Sequence, residues 1–203
     1  MGGDSAQALN VSNFPSKEAA ATNAEMIWNM FGPNTSNKTV GRPFGKAAIN
    51  GFDLDIEANT TNLVPWATKM RELMGEGHYL TAAPQCPKPD ENPLKDLLSG
   101  GKFDMVFVQF YNNPQCSPNT GTTTVPEWST WASANSTKFF IGLPAGSTAV
   151  TNNGYLAPDN MTMFVKENKG RNSFGGVMLW DASQSWSNEN YHVKVKQALE
   201  ATP

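Results

Sequence analysis

Apolar and polar residues follow two different periods along this chain. Five short runs either alternate strictly or are almost continuously apolar, which predicts β-strands. Between these runs, apolar residues recur every three or four positions, which predicts amphipathic helices. The predicted strands cover residues 47–57, 79–83, 103–111, 138–143 and 176–181.

The predicted helices have start and stop signals of the usual kinds. Ser16 can cap the first helix and Gly32 ends it, while Gly75 follows the last apolar residue of the second. Strands that alternate with helices, and that have an apolar character on both faces, are typical of a parallel sheet. We therefore predict a single α/β domain over residues 1–203. The predicted helices cover 16–31, 63–74, 93–98, 126–133, 159–169 and 189–200.

Charge and composition narrow the classes of partner. The chain has 203 residues and a formal net charge of −3, and its basic residues are scattered. This excludes the basic stripe that nucleic-acid-binding proteins use and favours a neutral substrate. No apolar run approaches the ~20 residues that span a bilayer, so no membrane partner is expected. His78 and His192 stand alone, without cysteines at metal-ligand spacing, so we predict neither a metal site nor a cofactor.

The chain contains several Asn-X-Ser/Thr sequences, which accept N-linked glycans in secreted proteins. We therefore expect a secreted glycoprotein that is located outside the cell or in the cell wall. Chance occurrence is the alternative, because Asn, Ser and Thr are abundant here. The sequences begin at Asn10, Asn34, Asn37, Asn59, Asn135 and Asn160.

The run from Ala47 to Glu57 predicts a buried strand that ends in carboxylates. Successive side chains of a strand point to opposite faces, so Asp53, Asp55 and Glu57 share one face and the apolar residues between them share the other. Neighbouring acids on that face lie roughly 6 to 7 Å apart. At that distance like charges raise the pKa of at least one carboxyl group, which favours a proton donor. A cation site and the solvated face of an edge strand are the alternatives.

Other predicted strands end in groups that suit a sugar site. Gln109 and Tyr111 lie two residues apart on one strand, and Trp180 lies near the end of another. Barrels of alternating strands and helices place active sites at these carboxyl ends. An indole can stack on the apolar face of a pyranose, amide and hydroxyl groups can bind its polar rim, and an acid can protonate a glycosidic oxygen. Packing in the core is the alternative for Trp180 and Tyr111.

Four motifs resemble those of one known family in their order and spacing. Asn50–Glu57 resembles the catalytic signature of glycoside hydrolase family 18. Segments 81–87, 109–114 and 175–180 are similar to the fifth, sixth and eighth strands of class III chitinases, the plant and fungal type. The resemblance covers nearly the whole chain and implies a (β/α)8 TIM-barrel fold.

The resemblance implies a retaining mechanism in which the 2-acetamido carbonyl of the substrate replaces an enzymic nucleophile. Glu57 is then the general acid and later the general base. Asp55 orients the acetamido group, Asp53 supports Asp55, and Tyr111 hydrogen-bonds the acetamido oxygen. The family signature begins with aspartate where this chain has Asn50, and from this departure we expect a shifted pKa of the acid rather than its loss.

The same resemblance implies further substrate-binding residues and one disulfide. Cys86 and Cys116 match a disulfide of class III chitinases, with two free buried thiols as the alternative. The implied substrate-binding positions are Gln109, Trp180, Asn112 and Gly3.

The length of the chain departs from that of a complete barrel, which has about 250 residues. The pair Gly2–Gly3 resembles the end of the family's third strand. We therefore expect the first two strands and most of the third to be absent. Two sheet edges would then lack a partner strand, and unpaired edges favour self-association.

The resemblance implies hydrolysis of β-1,4-N-acetylglucosamine linkages, with chitin or chito-oligosaccharides as the partner and a fungal source. One alternative is a chitin-binding or glycan-binding fragment without turnover, which an incomplete barrel favours. A second alternative is an endo-β-N-acetylglucosaminidase, which uses the same acid and the same substrate-assisted chemistry on N-glycans.

Overall fold

A computed structural model describes residue 3 and residues 13–33, 40–57 and 59–201. The predicted alternation of strands and helices is confirmed. The chain forms two compact units: the first comprises Met1–Ala83 and Pro93–Asp104, and the second comprises Pro84–Asn92 and Met105–Pro203. Within the described ranges, no helix is both long and apolar enough to cross a bilayer.

The first unit contains two parallel strands and three helices among the residues that the structure describes. Strand β1 pairs with β2 so that Gly51 lies opposite Tyr79 and Leu54 lies opposite Ala82. Ser16 caps the first helix, as predicted, because its Oγ accepts a hydrogen bond from the Ala19 N–H at 3.2 Å. The elements are α1 (Lys17–Phe31), β1 (Gly51–Leu54), α2 (Leu63–Met74), β2 (Tyr79–Ala82) and α3 (Lys95–Gly100).

The core of the first unit forms around the apolar face of β1. The Phe52 ring lies 6.4 Å from the ring of Trp28 on α1 and 6.4 Å from that of Trp66 on α2. Leu54 and Ile56 are buried on either side of Asp55. The predicted division of this segment into an apolar face and an acidic face follows from these contacts, because burial of Leu54 and Ile56 and packing of Phe52 against the two indole rings fix the register of the strand.

The second unit contains three parallel strands and four helices among its described residues. Strand β4 lies between β3 and β5, and alternate residues of β4 are completely buried. The elements are β3 (Met105–Gln109), α4 (Val125–Ala134), β4 (Lys138–Pro144), α5 (Pro158–Asn168), β5 (Phe174–Trp180), α6 (Ala182–Ser187) and α7 (Tyr191–Glu200), with short 3-10 helices at Pro118–Thr120 and Ser147–Ala149.

Two predicted strands are longer than the observed ones. The predicted strand 47–57 is reduced to β1, because Ala47 and Ala48 are exposed and the Ile49 N–H donates to the Phe31 carbonyl instead of a neighbouring strand. The predicted strand 103–111 ends at Gln109, and Tyr111 lies in the bend that follows. The prediction that Gln109 and Tyr111 share one strand face is therefore wrong.

The predicted closing helix 189–200 is observed as α7, which begins two residues later at Tyr191, and a separate helix that was not predicted, α6, precedes it. Helix α6 ends at Ser187, and Glu189 and Asn190 then adopt positive φ angles of 50° and 57°. Two consecutive left-handed residues cannot continue a right-handed helix. The reversal separates α6 from α7, a break that apolar periodicity does not reveal.

The Cys86–Cys116 disulfide is formed, which confirms the predicted bridge. It links the segment before β3 to the loop after it. The Cys86 carbonyl accepts hydrogen bonds from Thr124 Oγ1 and, at 3.2 Å, from the Trp128 indole N–H at the start of α4. The bridge therefore forms part of a buried cluster that holds this loop against α4.

Arg42 connects the end of α1 to the loop that leads into β1. Among the residues that the structure describes, its guanidinium donates only to backbone carbonyls, and these lie on both sides of the junction. The acceptors are the carbonyl oxygens of Asn29 at 2.8 Å, Gly32 at 2.7 Å, Gly45 at 2.9 Å and Ala47 at 3.0 Å. The planar fork of arginine suits this set, and a lysine ammonium does not reproduce it.

Replacing Arg42 by glutamine should lower the free energy of unfolding by about 2 kcal/mol, because several charge-assisted hydrogen bonds to carbonyls are lost. Urea unfolding followed by tryptophan fluorescence measures the change. Lys46→Gln is the matched control, since Lys46 is exposed in the same loop and should change stability by less than about 0.5 kcal/mol. Equal effects of the two substitutions would contradict a structural role for the Arg42 cluster.

Replacing both cysteines by serine should remove about 3 to 4 kcal/mol of stability, because a bridge between residues 30 apart restricts the unfolded chain. Unfolding with and without reductant measures this loss, and only the wild-type chain should respond to reductant. Titration of unreduced, denatured wild-type protein should detect no free thiol, and two thiols per chain would contradict the bridge.

Candidate functional site

The acidic strand of the first unit places its carboxylates at alternate positions. Asp53 lies within β1, Asp55 directly follows the strand, and Glu57 lies two residues further on. All three are half-buried. The buried Leu54 and Ile56 between them fix the strand register, so the carboxylates have a defined direction rather than that of a mobile loop.

Asp53 has a partner that the sequence did not reveal. Thr81 lies opposite Asp53 in the β1–β2 register, and its Oγ1 donates to Asp53 Oδ1 at 2.5 Å. Thr81 belongs to the motif that resembles the family's fifth strand, but its role depends on register between two strands. That register is a tertiary feature, so only the structure identifies Thr81 as the residue that orients Asp53.

Gly3 lies next to Asp55. Its N–H donates to the Asp55 carbonyl at 2.5 Å, and a Cβ added to Gly3 would stand 3.3 Å from Asp55 Oδ2. The backbone φ of Gly3 is +82°, which favours glycine. The structure thus brings one predicted substrate-binding residue beside one predicted catalytic carboxylate.

Asn50, the position at which this chain departs from the family signature, lies outside β1, and its side chain is exposed.

In the second unit, Gln109 lies at the carboxyl end of β3 and Tyr111 lies in the bend that follows. Both are largely buried, at 7% and 6% exposure. The Gln109 N–H donates to the Pro84 carbonyl at 2.8 Å. Gly154 approaches Tyr111 so closely that an added Cβ would lie 2.4 Å from the Tyr111 Cβ. This close approach, at a Gly154 φ of +116°, fixes the backbone of Tyr111.

Asn112 follows Tyr111 and adopts a positive φ of 59°. Its side chain is exposed, but Oδ1 accepts hydrogen bonds from the N–H groups of Thr151 at 3.0 Å and Asn152 at 3.4 Å. The next residue, Asn113, contacts a different segment, because its Nδ2 donates to Gln85 Oε1 at 3.0 Å. The Asn112 side chain therefore holds two loops of the second unit together, a contact that sequence reasoning missed because the loops are 39 residues apart.

Trp180 ends β5 and remains 50% exposed. It lies opposite Pro144 in the β4–β5 register, and its carbonyl accepts the Ala145 N–H at 2.8 Å. The peptide bond between Trp180 and Asp181 is cis. Complete packing in the core, the alternative to a sugar platform, does not describe this half-exposed indole.

The candidate residues of the two units offer two kinds of chemistry, which are acid–base catalysis and hydrogen bonding by neutral polar groups. The first unit supplies oriented carboxylates, and the second supplies an amide, a phenol and an exposed indole. Among the described residues, no three His, Cys, Asp or Glu side chains are grouped so that they could hold a metal ion.

Comparison with known proteins identifies the family. No family model matches the chain. It is 44% identical to a class III chitinase from Arthroderma benhamiae over 206 residues, an alignment that includes 93% of this chain and 62% of that protein. The chain therefore spans less than two thirds of the length of this relative.

Two crystal structures are similar to the fold. The ICChI chitinase from Ipomoea carnea matches with a TM-score of 0.76 and 32% identity, over 91% of this chain and 68% of that one. The xylanase and alpha-amylase inhibitor protein XAIP-II from Scadoxus multiflorus matches with a TM-score of 0.77 and 30% identity, over 92% of this chain and 68% of that one.

These likenesses confirm the predicted fold class, α/β of the TIM-barrel type. They extend over most of the chain, at 44% identity to the Arthroderma benhamiae protein and 32% identity to the Ipomoea carnea chitinase. The chain belongs to glycoside hydrolase family 18, in its class III chitinase group.

Proposed function

We propose that the chain hydrolyses β-1,4-N-acetylglucosamine linkages in chitin by a retaining, substrate-assisted mechanism. The observation that carries the proposal is the set of carboxylates at alternate positions along β1 and the segment that follows it, Asp53, Asp55 and Glu57, in a member of this family. The Arthroderma benhamiae relative is a class III chitinase, which supports the same substrate class. No resident cofactor takes part in the proposed reaction.

Glu57 is the proposed general acid. It donates its proton to the glycosidic oxygen as the bond from that oxygen to the anomeric carbon breaks. The carbonyl oxygen of the substrate's 2-acetamido group forms the new bond to the anomeric carbon, so no enzymic nucleophile is needed. Glu57, now a carboxylate, then accepts a proton from the water that opens this intermediate, and the anomeric configuration is retained.

Asp55 and Asp53 are the proposed supports of this step. Asp55 accepts a hydrogen bond from the acetamido N–H, which turns the acetamido carbonyl toward the anomeric carbon and stabilises the positive charge that develops. Asp53 supports Asp55 from the adjacent position on the same acidic face. The Thr81 hydroxyl holds Asp53 Oδ1 and limits its rotation.

The second unit supplies the proposed sugar-binding groups. Tyr111 hydrogen-bonds the acetamido oxygen, Gln109 binds a polar edge of the sugar, and the half-exposed Trp180 stacks on its apolar face. Asn112 and the first unit's Gly3 are further proposed substrate-binding positions. Gly3 contributes through its lack of a side chain, which leaves space beside Asp55.

A second candidate function is binding of chitin or another glycan without turnover. The observation that favours it is the likeness to XAIP-II, which has the same fold and whose name describes inhibition of xylanase and alpha-amylase. Fold alone does not decide between these functions. The endo-β-N-acetylglucosaminidase alternative uses the same acid and differs in substrate, so an N-glycan substrate distinguishes it.

We also propose that the protein is secreted and glycosylated, and that copies associate. Asn59, Asn135 and Asn160 are exposed and accessible to glycosylation, whereas Asn10, Asn34 and Asn37 lie outside the described residues. Strand β5 pairs only with β4 within the described part of the chain. Its second edge is therefore the proposed site of association.

Replacing Glu57 by glutamine should lower the rate of reporter release from a chitotriose glycoside at least about 100-fold, because glutamine cannot donate the proton. Glu76→Gln is the matched control: it makes the same chemical change at an exposed position of the first unit and should retain the wild-type rate. Background rates for both the wild type and Glu57→Gln, with retention of both on chitin beads, would establish the binding function instead.

The rate should also fall as pH rises from acidic to alkaline values. The proposed first step needs a protonated acid. An enzyme molecule whose acid is deprotonated is therefore inactive, and the fraction of such molecules increases with pH. The dependence of kcat/KM on pH between about 4 and 9 measures this, with fluorescence confirming that the protein stays folded. A flat profile through neutral and alkaline pH would contradict the role of a carboxyl group as the acid.

A further inference from the structure

Trp186 is the most exposed large apolar side chain among the described residues, at 74%. It lies on α6, a helix that sequence periodicity did not predict, and it belongs to none of the motifs that resemble the family. A single exposed apolar residue is common on protein surfaces and needs no special account. The surroundings of Trp186, however, differ from those of an incidental surface residue in three respects.

First, the start of α6 is fixed. Asp181 caps the helix, because its Oδ1 accepts the Gln184 N–H at 3.0 Å and the Ser183 hydroxyl at 2.6 Å. These hydrogen bonds hold the pKa of Asp181 below its ordinary value, and the bond from the Ser183 hydroxyl makes the largest contribution. The cap therefore stays ionised and intact at neutral and mildly acidic pH.

The residues on both sides of Trp186 are held as well. Ser185 is buried, and its Oγ hydrogen-bonds His192 Nδ1 at 2.9 Å and accepts the His192 backbone N–H at 2.9 Å. Asn188 Nδ2 donates to the Ala145 carbonyl at 2.8 Å and to Tyr155 Oη at 3.1 Å. The backbone that carries the indole is thus ordered before any ligand arrives, which lowers the entropic cost of binding.

Second, Trp186 lies only six residues after Trp180 in the sequence, and α6 forms most of the connection between them. Five residues of helix rise about 7.5 Å from Asp181 to Trp186, and one further peptide adds about 3.8 Å. The Cα atoms of the two tryptophans therefore lie within roughly 11 Å of each other. This distance is within the length of a few linked pyranose rings, and Trp180 is itself half exposed.

Third, the exposed residues of α6 carry no charge. Ala182, Ser183 and Ser187 are the other exposed residues of α6. The nearest following acid, Glu189, is paired with Lys194 at 2.9 Å. A flat, neutral ligand can approach the indole across such a surface, whereas an ionic partner finds no unpaired charge of opposite sign in α6 to recognise it.

We propose that Trp186 is a sugar-binding residue. Its indole stacks on one ring of a chito-oligosaccharide, and a neighbouring part of the same oligosaccharide binds Trp180. This inference rests on the proposed function, because it takes the same class of neutral sugar chain as the ligand. Trp186 extends the binding surface along the chain and increases affinity for longer oligosaccharides.

Isothermal titration of chitohexaose into the Glu57→Gln protein tests the inference, since that background prevents cleavage during the measurement. Adding Trp186→Ala should weaken binding by roughly five- to tenfold. Trp186→Phe keeps an aromatic face and should weaken it less. Met163→Ala is the matched control, because Met163 is another exposed apolar residue of the second unit, at 57%, and should leave affinity unchanged. Unfolding curves show whether each variant is folded.

Equal affinity of the Trp186→Ala and Trp186-containing proteins, or no binding of chitohexaose by the parent protein, would overturn the inference. Loss of self-association in Trp186→Ala by light scattering, with unchanged chitohexaose affinity, would assign the residue to contact between copies instead. Binding that depends on Trp186, without hydrolysis by the chain that retains Glu57, would contradict the proposed hydrolysis and leave the inference standing.

Discussion

The structure of the first unit depends on the strict alternation of side chains along one short strand. Leu54 and Ile56 are buried, and the half-buried Phe52 packs against the rings of Trp28 and Trp66. Since a strand has a period of two, burial of one set of residues determines the direction of the other. The carboxylates are therefore oriented by the hydrophobic effect acting on their neighbours, and a one-residue slip would reverse the two faces.

The second unit positions its polar groups in a different way. Gln109 and Trp180 are at strand ends, but Tyr111 and Asn112 lie in a bend whose shape comes from contacts with distant loops. The close approach of Gly154 leaves no space for a side chain at that point. The Cys86–Cys116 bridge then holds the same region covalently.

Family membership limits the chemistry without deciding it. The chain shares its fold with a chitinase and with a protein whose name describes inhibition of other glycosidases. The proposed acid–base step needs a carboxyl group at the position of Glu57, and the fold itself is compatible with either candidate function.

The sequence by itself determined the five strands, every longer helix but not α6, the acidic and apolar faces of β1, and the pairing of the two cysteines that the resemblance implied. These features depend on local periodicity and on short motifs, which are present in one stretch of chain. The ends of the elements were less predictable: Ile49 donates to Phe31 instead of extending β1, and Glu189 and Asn190 reverse the chain between α6 and α7. Only the tertiary structure decided that Thr81 holds Asp53, that Asn112 binds a distant loop, and that Trp186 is exposed on an ordered helix. Each of these three features depends on strand register or on contact between residues far apart in sequence. The pattern of a single segment contains no information about such contacts.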